Sequence, residues 1–325
     1  QMPKISKDAW FIGSDAEQKL KEKIERIGKP LKDWDVNIYY GIKTGLNEAF
    51  IITTEKRNEI LANCQDEAER QRTEAIIKPI LRGKDIKRYY YEWAGLWVIG
   101  TFPALHLNIE DYPALKKYFL DNFDIRQLEQ SGKKYPQLDF DARKKTGNKW
   151  FETQDQIAYY PEFEKEKVVW AETDQSLNTV LVSKGLYLQK TCFMIITKNQ
   201  TILNALLNSS ISQWYIRKLS SNLGNKGISL TKESVSKIPL PPITPSNQHI
   251  VKQIETLVDK ILSIKNPVGA IHELPLRKPH QSSQLLPQHP PLSQSGTTQL
   301  EREIDHLVYQ LYDLTTAEIK IIESR

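Results

Sequence analysis

Trp34-Asp35-Val36-Asn37-Ile38-Tyr39-Tyr40-Gly41-Ile42-Lys43-Thr44-Gly45-Leu46-Asn47-Glu48-Ala49-Phe50 is where the chain changes its period. Upstream, Leu20, Ile24 and Ile27 recur at helical spacing over residues 14–27. Ser14 stands at the capping position, and Gly28-Lys29-Pro30 ends the run. From Val36 that spacing is lost. Val36–Tyr40 and Ala49–Thr53 read as strands around the turn Gly41-Ile42-Lys43-Thr44-Gly45, a hairpin whose two glycines supply backbone freedom.

Outward from this point, residues 55–77 predict helix with a break near Asn63. Ile76–Leu81 predicts a strand running into the turn Arg82-Gly83-Lys84-Asp85. A strand at Gly95–Gly100 and a helix at Ile109–Phe119 follow. Residues 126–149 are polar and basic, with Gly132, Pro136 and Gly147, and read as a long exposed loop. Val168–Ala171, Thr179–Val182, Leu186–Leu188 and Phe193–Thr197 are short β-rich runs. One helix is expected from about Thr201 to Leu219, with Leu203, Leu206, Leu207, Ile211, Trp214 and Tyr215 on one face.

Pro239, Pro241, Pro242 and Pro245 then predict a stiff linker. Beyond it, Ile250, Ile254, Leu257, Val258, Ile261 and Leu262 form one apolar stripe, and Leu300, Ile304, Leu307, Val308 and Leu311 another. Between them, residues 266–296 hold six prolines, three of the six histidines and no aromatic residue, so this stretch reads as a disordered insertion. The expected class is α+β: an N-terminal helix and linker over 1–29, a mixed α/β domain of short strands over 30–243, and a helical module over 244–325.

Bulk properties narrow the function. At 39% hydrophobic residues the 325-residue chain can build a sizeable core. No apolar run approaches the roughly 20 residues that cross a bilayer. The polar start (Lys4, Ser6, Lys7, Asp8) does not resemble a signal peptide. Cys64 and Cys192 stand far apart, with no metal-ligand spacing. A cytoplasmic protein without membrane partner or metal is expected. Charge is uneven: residues 246–325 carry 8 basic and 9 acidic side chains, whereas 1–245 carry 37 and 31. The basic surplus on the front of the chain suits a polyanionic partner.

The 34–50 stretch, followed by Ile77-Lys78-Pro79-Ile80-Leu81-Arg82-Gly83-Lys84-Asp85-Ile86, then Leu206-Leu207-Asn208-Ser209, Trp214-Tyr215 and Ile238-Pro239-Leu240-Pro241, resembles a known family. It is the TaqI-like C-terminal specificity (target-recognition) domain of type IIG and Eco57I-like adenine-specific DNA methyltransferases. The resemblance runs from about Ser6 to Ile243 and resumes near Leu300, in Leu300-Glu301-Arg302-Glu303-Ile304-Asp305, Val308-Tyr309 and Leu311-Tyr312. It implies sequence-specific binding of double-stranded DNA in a restriction-modification system. It also implies an N6-adenine methyltransferase domain or subunit using S-adenosylmethionine. That domain carries an Asn/Asp-Pro-Pro-Tyr/Phe tetrapeptide to hold the extruded base. Here Pro-Pro occurs only in Leu240-Pro241-Pro242-Ile243 and His289-Pro290-Pro291-Leu292, so no catalytic residue and no bound cofactor are expected on this chain.

Arg82, Lys84, Lys87 and Arg88 put four bases within seven residues. They suit phosphate contacts, with Gly83 allowing close approach; a local turn held by Gly83 and Asp85 explains the same residues. In the first turn Lys43 and Thr44 suit a phosphate and Asn47 a base edge, while Gly41 and Gly45 serve backbone geometry. The 126–149 loop holds seven bases (Arg126, Lys133, Lys134, Arg143, Lys144, Lys145 and Lys149) against three acids, with Tyr135, Phe140 and Trp150 interleaved. A mobile basic loop suits groove reading, with Arg143 forking onto a guanine. Asn222, Asn225 and Lys226 suit adenine or phosphate contacts, against a plain glycine-rich helix end. Trp93, Trp97, Trp170 and Trp214 read as core.

Two alternatives stand beside DNA reading. Asp85-Ile86-Lys87 with Glu74 matches part of a Mg²⁺-dependent nuclease site, although Glu318-Ile319-Lys320 matches equally well. The two C-terminal apolar stripes also suit a helical hairpin in a non-DNA assembly subunit.

Overall fold

The computed structural model describes residues 14–265 and 295–324. Helix α1 (Asp15–Ile27) opens on a capping box in which the Ser14 side chain accepts the Glu17 N–H and Glu17 returns to the Ser14 N–H. Its buried face is Leu20 and Ile24. Eight strands make two four-stranded sheets: β1 (Asn37–Tyr40), β2 (Ile51–Thr53), β3 (Ile77–Leu81), β4 (Leu96–Ile99), β5 (Lys167–Ala171), β6 (Thr179–Val182), β7 (Tyr187–Leu188) and β8 (Cys192–Ile196). The first sheet has the order β6-β5-β8-β1 and is antiparallel throughout, with Val180 opposite Val169, Phe193 opposite Trp170 and Met194 opposite Tyr39. The second has the order β7-β3-β4-β2, and β7 lies parallel to β3.

Strand alternation sends side chains to two cores at once. In β5, Val168 and Trp170 enter a core shared with the helices, while Val169 enters the layer between the sheets. Every residue of β5 is therefore buried, which explains its unbroken apolar run after Lys167. In β4, Val98 faces the inter-sheet layer and Ile99 the far side. There α2 (Thr54–Ala62), α3 (Glu67–Ile76) and α4 (Pro113–Asn122) close a third core around Phe50 and Phe119. The order of layers is helices, sheet, sheet, helices, an α+β arrangement with short strands and C-terminal helices, as the sequence predicts.

Three expectations are corrected. Residues 41–45 do not close a hairpin: β1 pairs with β8 and β2 with β4, so this turn carries the chain from one sheet to the other. The expected single helix from 201 to 219 is α5 (Gln200–Asn208) and α6 (Ser210–Leu219). Ser209 sits between them in extended conformation, and its side chain caps α6 by accepting the Ser212 N–H. Pro239-Leu240 is no exposed linker but a buried strand paired with Lys29-Pro30. The core is continuous across it: α7 (Gln248–Lys265), α8 (Ser295–Leu311) and α9 (Thr316–Glu323) bury Val251, Ile254, Val258, Ile304, Val308 and Ile322 in the same cluster as Leu20, Trp170 and Trp214. Residues 266–294 of the expected insertion lie outside the described residues.

Candidate nucleic-acid interface

Two turns singled out in the sequence both pack on a third, Gln189–Cys192. Ile42 lies in a parallel bridge with Gln189, its N–H donating to the Leu188 oxygen at 2.6 Å and its own oxygen accepting the Lys190 N–H at 2.9 Å. On the other side, the Gln189 N–H donates to the Leu81 oxygen at 2.8 Å. The turn Gln189–Cys192 is closed by the Cys192 N–H on the Gln189 oxygen at 2.9 Å, and the Gly83 N–H donates to Thr191 Oγ1 at 3.1 Å. Gly41 makes this packing possible: a Cβ there would stand 1.9 Å from the Gln189 oxygen. Gly45 is required for another reason, a φ of +83°.

At this edge Lys84 is exposed and Lys43 partly so, and among the described residues neither forms an ion pair or a side-chain hydrogen bond. Thr44 departs from the expectation of a phosphate contact. It is 1% exposed, and its hydroxyl donates to Asn47 Oδ1 at 2.8 Å, which also engages the exposed Asn47. In the second turn the local reading prevails: Arg82 forks onto Asp85 at 3.0 and 2.7 Å, and Asp85 Oδ2 also accepts the Arg82 N–H at 2.8 Å. Lys87 Nζ donates to the Lys84 oxygen at 2.8 Å. Arg88 is turned inward, bound to Glu301 and to the Asn208 oxygen, and so ties Ile86–Tyr91 to α8 instead of facing a phosphate.

The 126–149 loop is laced rather than free. Arg143 N–H donates to the Glu129 oxygen, Gly132 N–H to the Arg143 oxygen and Ala142 N–H to the Lys133 oxygen. Arg143 does not reach outward to fork onto a base. It is 5% exposed, and its guanidinium donates to the oxygens of Leu128 (2.8 Å), Thr44 (3.0 Å), Glu152 (2.8 Å) and Trp150 (2.5 Å) while lying 4.9 Å from the Phe50 ring centre. Burial pulls its pKa down to about 10, which leaves it charged at neutral pH. A buried guanidinium needs its donors satisfied, and these carbonyls engage all three of its nitrogens and four of its five N–H groups.

Around this pin, Lys133, Lys144 and Lys145 are exposed and form no ion pair among the described residues. Lys134 pairs with Asp141 at 2.6 Å, Arg126 pairs with Asp124, and Lys149 donates to the Leu107 oxygen at 3.1 Å. Tyr135 and Phe140 pack edge to face on each other, with Arg126 over both.

Asn222, Asn225 and Lys226 are exposed. Helix α6 ends at Leu219 with Ser220 as its cap, so the glycines do not serve as its C-cap. They shape a separate turn held against Asp174-Gln175: Gly227 has a φ of +94° and no room for a Cβ, and Gln175 Nε2 donates to the Asn225 oxygen at 3.1 Å. Trp170 and Trp214 are buried as expected, whereas Trp93 and Trp97 are half-buried, edge to face at 5.3 Å, with Arg57 above Trp97. The carboxylates of the nuclease alternative are engaged: Glu74 by Arg57 at 2.5 Å, Asp85 by Arg82, and Glu318 by Lys23 at 2.8 Å. No group of three or more potential metal ligands comes together among the described residues, and no helix there is long and apolar enough to cross a membrane.

Sequence reasoning passes over Lys190 and Tyr40. Lys190 is exposed at the tip of the Gln189–Cys192 turn, and Tyr40 is 52% exposed beside Gly41. Nothing local flags Lys190, because what matters is its neighbour across the sheet.

Comparison with known proteins gives the class of this fold. The TaqI-like C-terminal specificity domain matches residues 78–240, half of the chain, and the chain belongs to that family. It is a specificity domain of the kind carried by restriction-modification methyltransferases. The type II methyltransferase M.BstVI of Geobacillus stearothermophilus is 24% identical over 246 residues, 71% of this chain and 39% of the relative. The type IIL restriction-modification enzyme MmeI, solved in complex with DNA, shares the fold with a TM-score of 0.55 at 15% identity, over 91% of this chain and 36% of that one. The type IIG restriction endonuclease BpuSI aligns with a TM-score of 0.43 at 14% identity, over 92% of this chain and 33% of that one. The chain thus spans well under half the length of each.

Proposed function

We propose that this chain binds double-stranded DNA and reads a short target sequence for an adenine-specific methyltransferase of a cytoplasmic restriction-modification system. Methyl transfer from S-adenosylmethionine to the adenine amino group belongs to a catalytic domain or subunit outside the residues described above. The observation that carries the reading is membership of the specificity-domain family over residues 78–240. The side chains support it: among the described residues Lys43, Lys84, Lys133, Lys144 and Lys145 reach solvent without a carboxylate partner, which leaves them free for phosphate contacts. Asn222, Asn225 and Lys226 are exposed in the turn after α6, and Asn47 is exposed at the start of the short helix Asn47–Phe50; together they supply the donors and acceptors that base edges need.

An assembly subunit needs a free apolar face. Most of the apolar stripes of α7 and α8 instead pack into this chain's own core through Val251, Ile254, Val258, Ile304 and Val308, with Ile250, Leu262, Leu300, Leu307 and Leu311 half-buried at its margin, which favours the DNA reading. The test is a fluorescence anisotropy titration of labelled duplex with the purified chain. Affinity should fall steeply between about 50 and 200 mM salt as counterion release loses its drive. Affinity that is indifferent to salt would refute the reading. Incubated alone with labelled S-adenosylmethionine and DNA, the chain should transfer no methyl group.

A further inference from the structure

We infer that Lys190 joins Lys43 and Lys84 in a single edge that grips the phosphate backbone of duplex DNA. This rests on the DNA-binding reading above and adds the face by which the backbone is held. Three segments run side by side in the same direction and end there. Leu188 lies opposite Leu81 in the parallel pair of β7 and β3, and Ile42 lies opposite Gln189. One residue on from this bridge stand Lys43 and Lys190, with the Lys190 N–H on the Ile42 oxygen at 2.9 Å; on the other flank Gly83, its N–H on Thr191 Oγ1, leads into Lys84.

Neighbouring backbones in such an array lie about 4.8 Å apart, so the ammonium-bearing stems of Lys43 and Lys190 start from adjacent positions. Like charges placed opposite one another repel. No ion pair offsets that repulsion: among the described residues Lys43, Lys84 and Lys190 form none. Two exposed carboxylates adjoin the edge without pairing with these lysines. Asp155 is tied by its N–H to the Lys43 oxygen at 3.4 Å, and Glu172 by its N–H to the Thr191 oxygen at 2.8 Å. Arg82, next to them, is neutralised by Asp85 and plays no part.

The edge is also stiff. Gly41 packs against the Gln189 carbonyl, and the position of a Gly83 Cβ lies 3.1 Å from the Thr191 oxygen, so the three turns are held to one another through backbone. Fixed cations on a rigid backbone suit a repeating polyanion better than a mobile side-chain partner.

Lys184 provides the control. Like Lys190 it is exposed and forms no ion pair among the described residues, but it precedes β7, at the opposite end of that strand. Removing one phosphate contact lowers the slope of log affinity against log salt by about one. Lys190→Ala should therefore flatten the slope by about one, weaken target and scrambled duplexes alike, and leave the unfolding midpoint no lower than that of the wild type. Lys184→Ala should leave the slope as in the wild type, and Lys43→Ala/Lys84→Ala/Lys190→Ala should lower it by about three. If Lys190→Ala keeps the wild-type slope while the wild type itself binds in a salt-dependent way, the edge is not the backbone grip, though DNA binding stands. If the wild type shows no salt-dependent binding, the DNA reading fails and the edge proposal fails with it.

Discussion

The Arg143 guanidinium donates to the main-chain oxygen of Thr44 at 3.0 Å, fastening the basic 126–149 loop to the glycine turn that carries Lys43. The loop owes its position to this buried cation, which also holds the oxygens of Leu128, Trp150 and Glu152. Replacing Arg143 with alanine strands those carbonyls and empties a buried site, and should cost about 3 kcal/mol or more of stability. In urea unfolding Arg143→Ala should stand far below Lys144→Ala, which lies exposed beside it. On DNA it should weaken target and scrambled duplexes together, because the substitution displaces the whole loop and touches no base directly. A variant that keeps wild-type stability but loses discrimination would restore Arg143 as a base reader.

Gly41 gives a second, sharper test. A Cβ at this position would overlap the Gln189 carbonyl at 1.9 Å, and the obstacle is backbone rather than a movable side-chain end. Gly41→Ala must push the Gln189–Cys192 turn away and should destabilise by about 1–3 kcal/mol, as overpacking does. A Tm equal to that of the wild type would mean that the two turns do not touch.

Local signals account for what is legible in the sequence. Ser14 and the Leu20/Ile24 spacing announce α1, the break near Asn63 separates α2 from α3, and the apolar runs mark β5, β6 and β8 within a residue or two. Partners distant in the chain account for what is hidden. Nothing near Tyr40 indicates that β1 pairs with Phe193–Ile196 and not with the strand after its own turn. Beside Lys144 and Lys145, Arg143 reads as an outward base reader, because the carbonyls that satisfy it lie 7 to 99 residues away. Arg88 reads as a phosphate contact because Glu301, its partner, lies 213 residues away. Lys190 lacks any local mark, since only the register of Ile42 on Gln189 gives it a neighbour.

Glu301 also bears on the stretch between α7 and α8. Lys265, the last residue of α7, reaches Glu301 Oε1 at 3.3 Å, and Thr297 in the first turns of α8 donates to the same oxygen at 2.9 Å. The two helices thus meet at one carboxylate, and Arg88 holds its other oxygen. A flexible Gly-Ser connector of about eight residues spans roughly 15 Å on average, enough to join ends so placed. Replacing residues 266–294 with such a connector should leave the unfolding midpoint within about 5 °C of the full chain. A larger drop would show that the helices depend on the replaced stretch.

Lys167 offers a test by pH. It is wholly buried at the start of β5, and its ammonium donates to the oxygens of Phe163 (2.8 Å), Lys165 (2.8 Å) and Ser183 (3.1 Å). Burial pulls its pKa down to about 7 from an ordinary 10.5, while Glu164 and Glu166 act in the opposite sense. The sign follows from linkage. Below about pH 7 the amine is charged in both folded and unfolded chains, and the burial penalty is felt in full. Between 7 and 10.5 the folded chain releases the proton that the unfolded chain still holds, so stability rises with pH across that window. Lys167→Met removes the titration and leaves three carbonyls without a donor. The stability of the wild type relative to Lys167→Met should therefore grow from pH 7 to 10 by as much as about 1.4 kcal/mol per unit. Urea midpoints of the two proteins, measured in parallel across that range, give the difference directly. A flat difference would mean that the three carbonyls hold the proton against burial, and that Lys167 stays charged at the heart of the sheet.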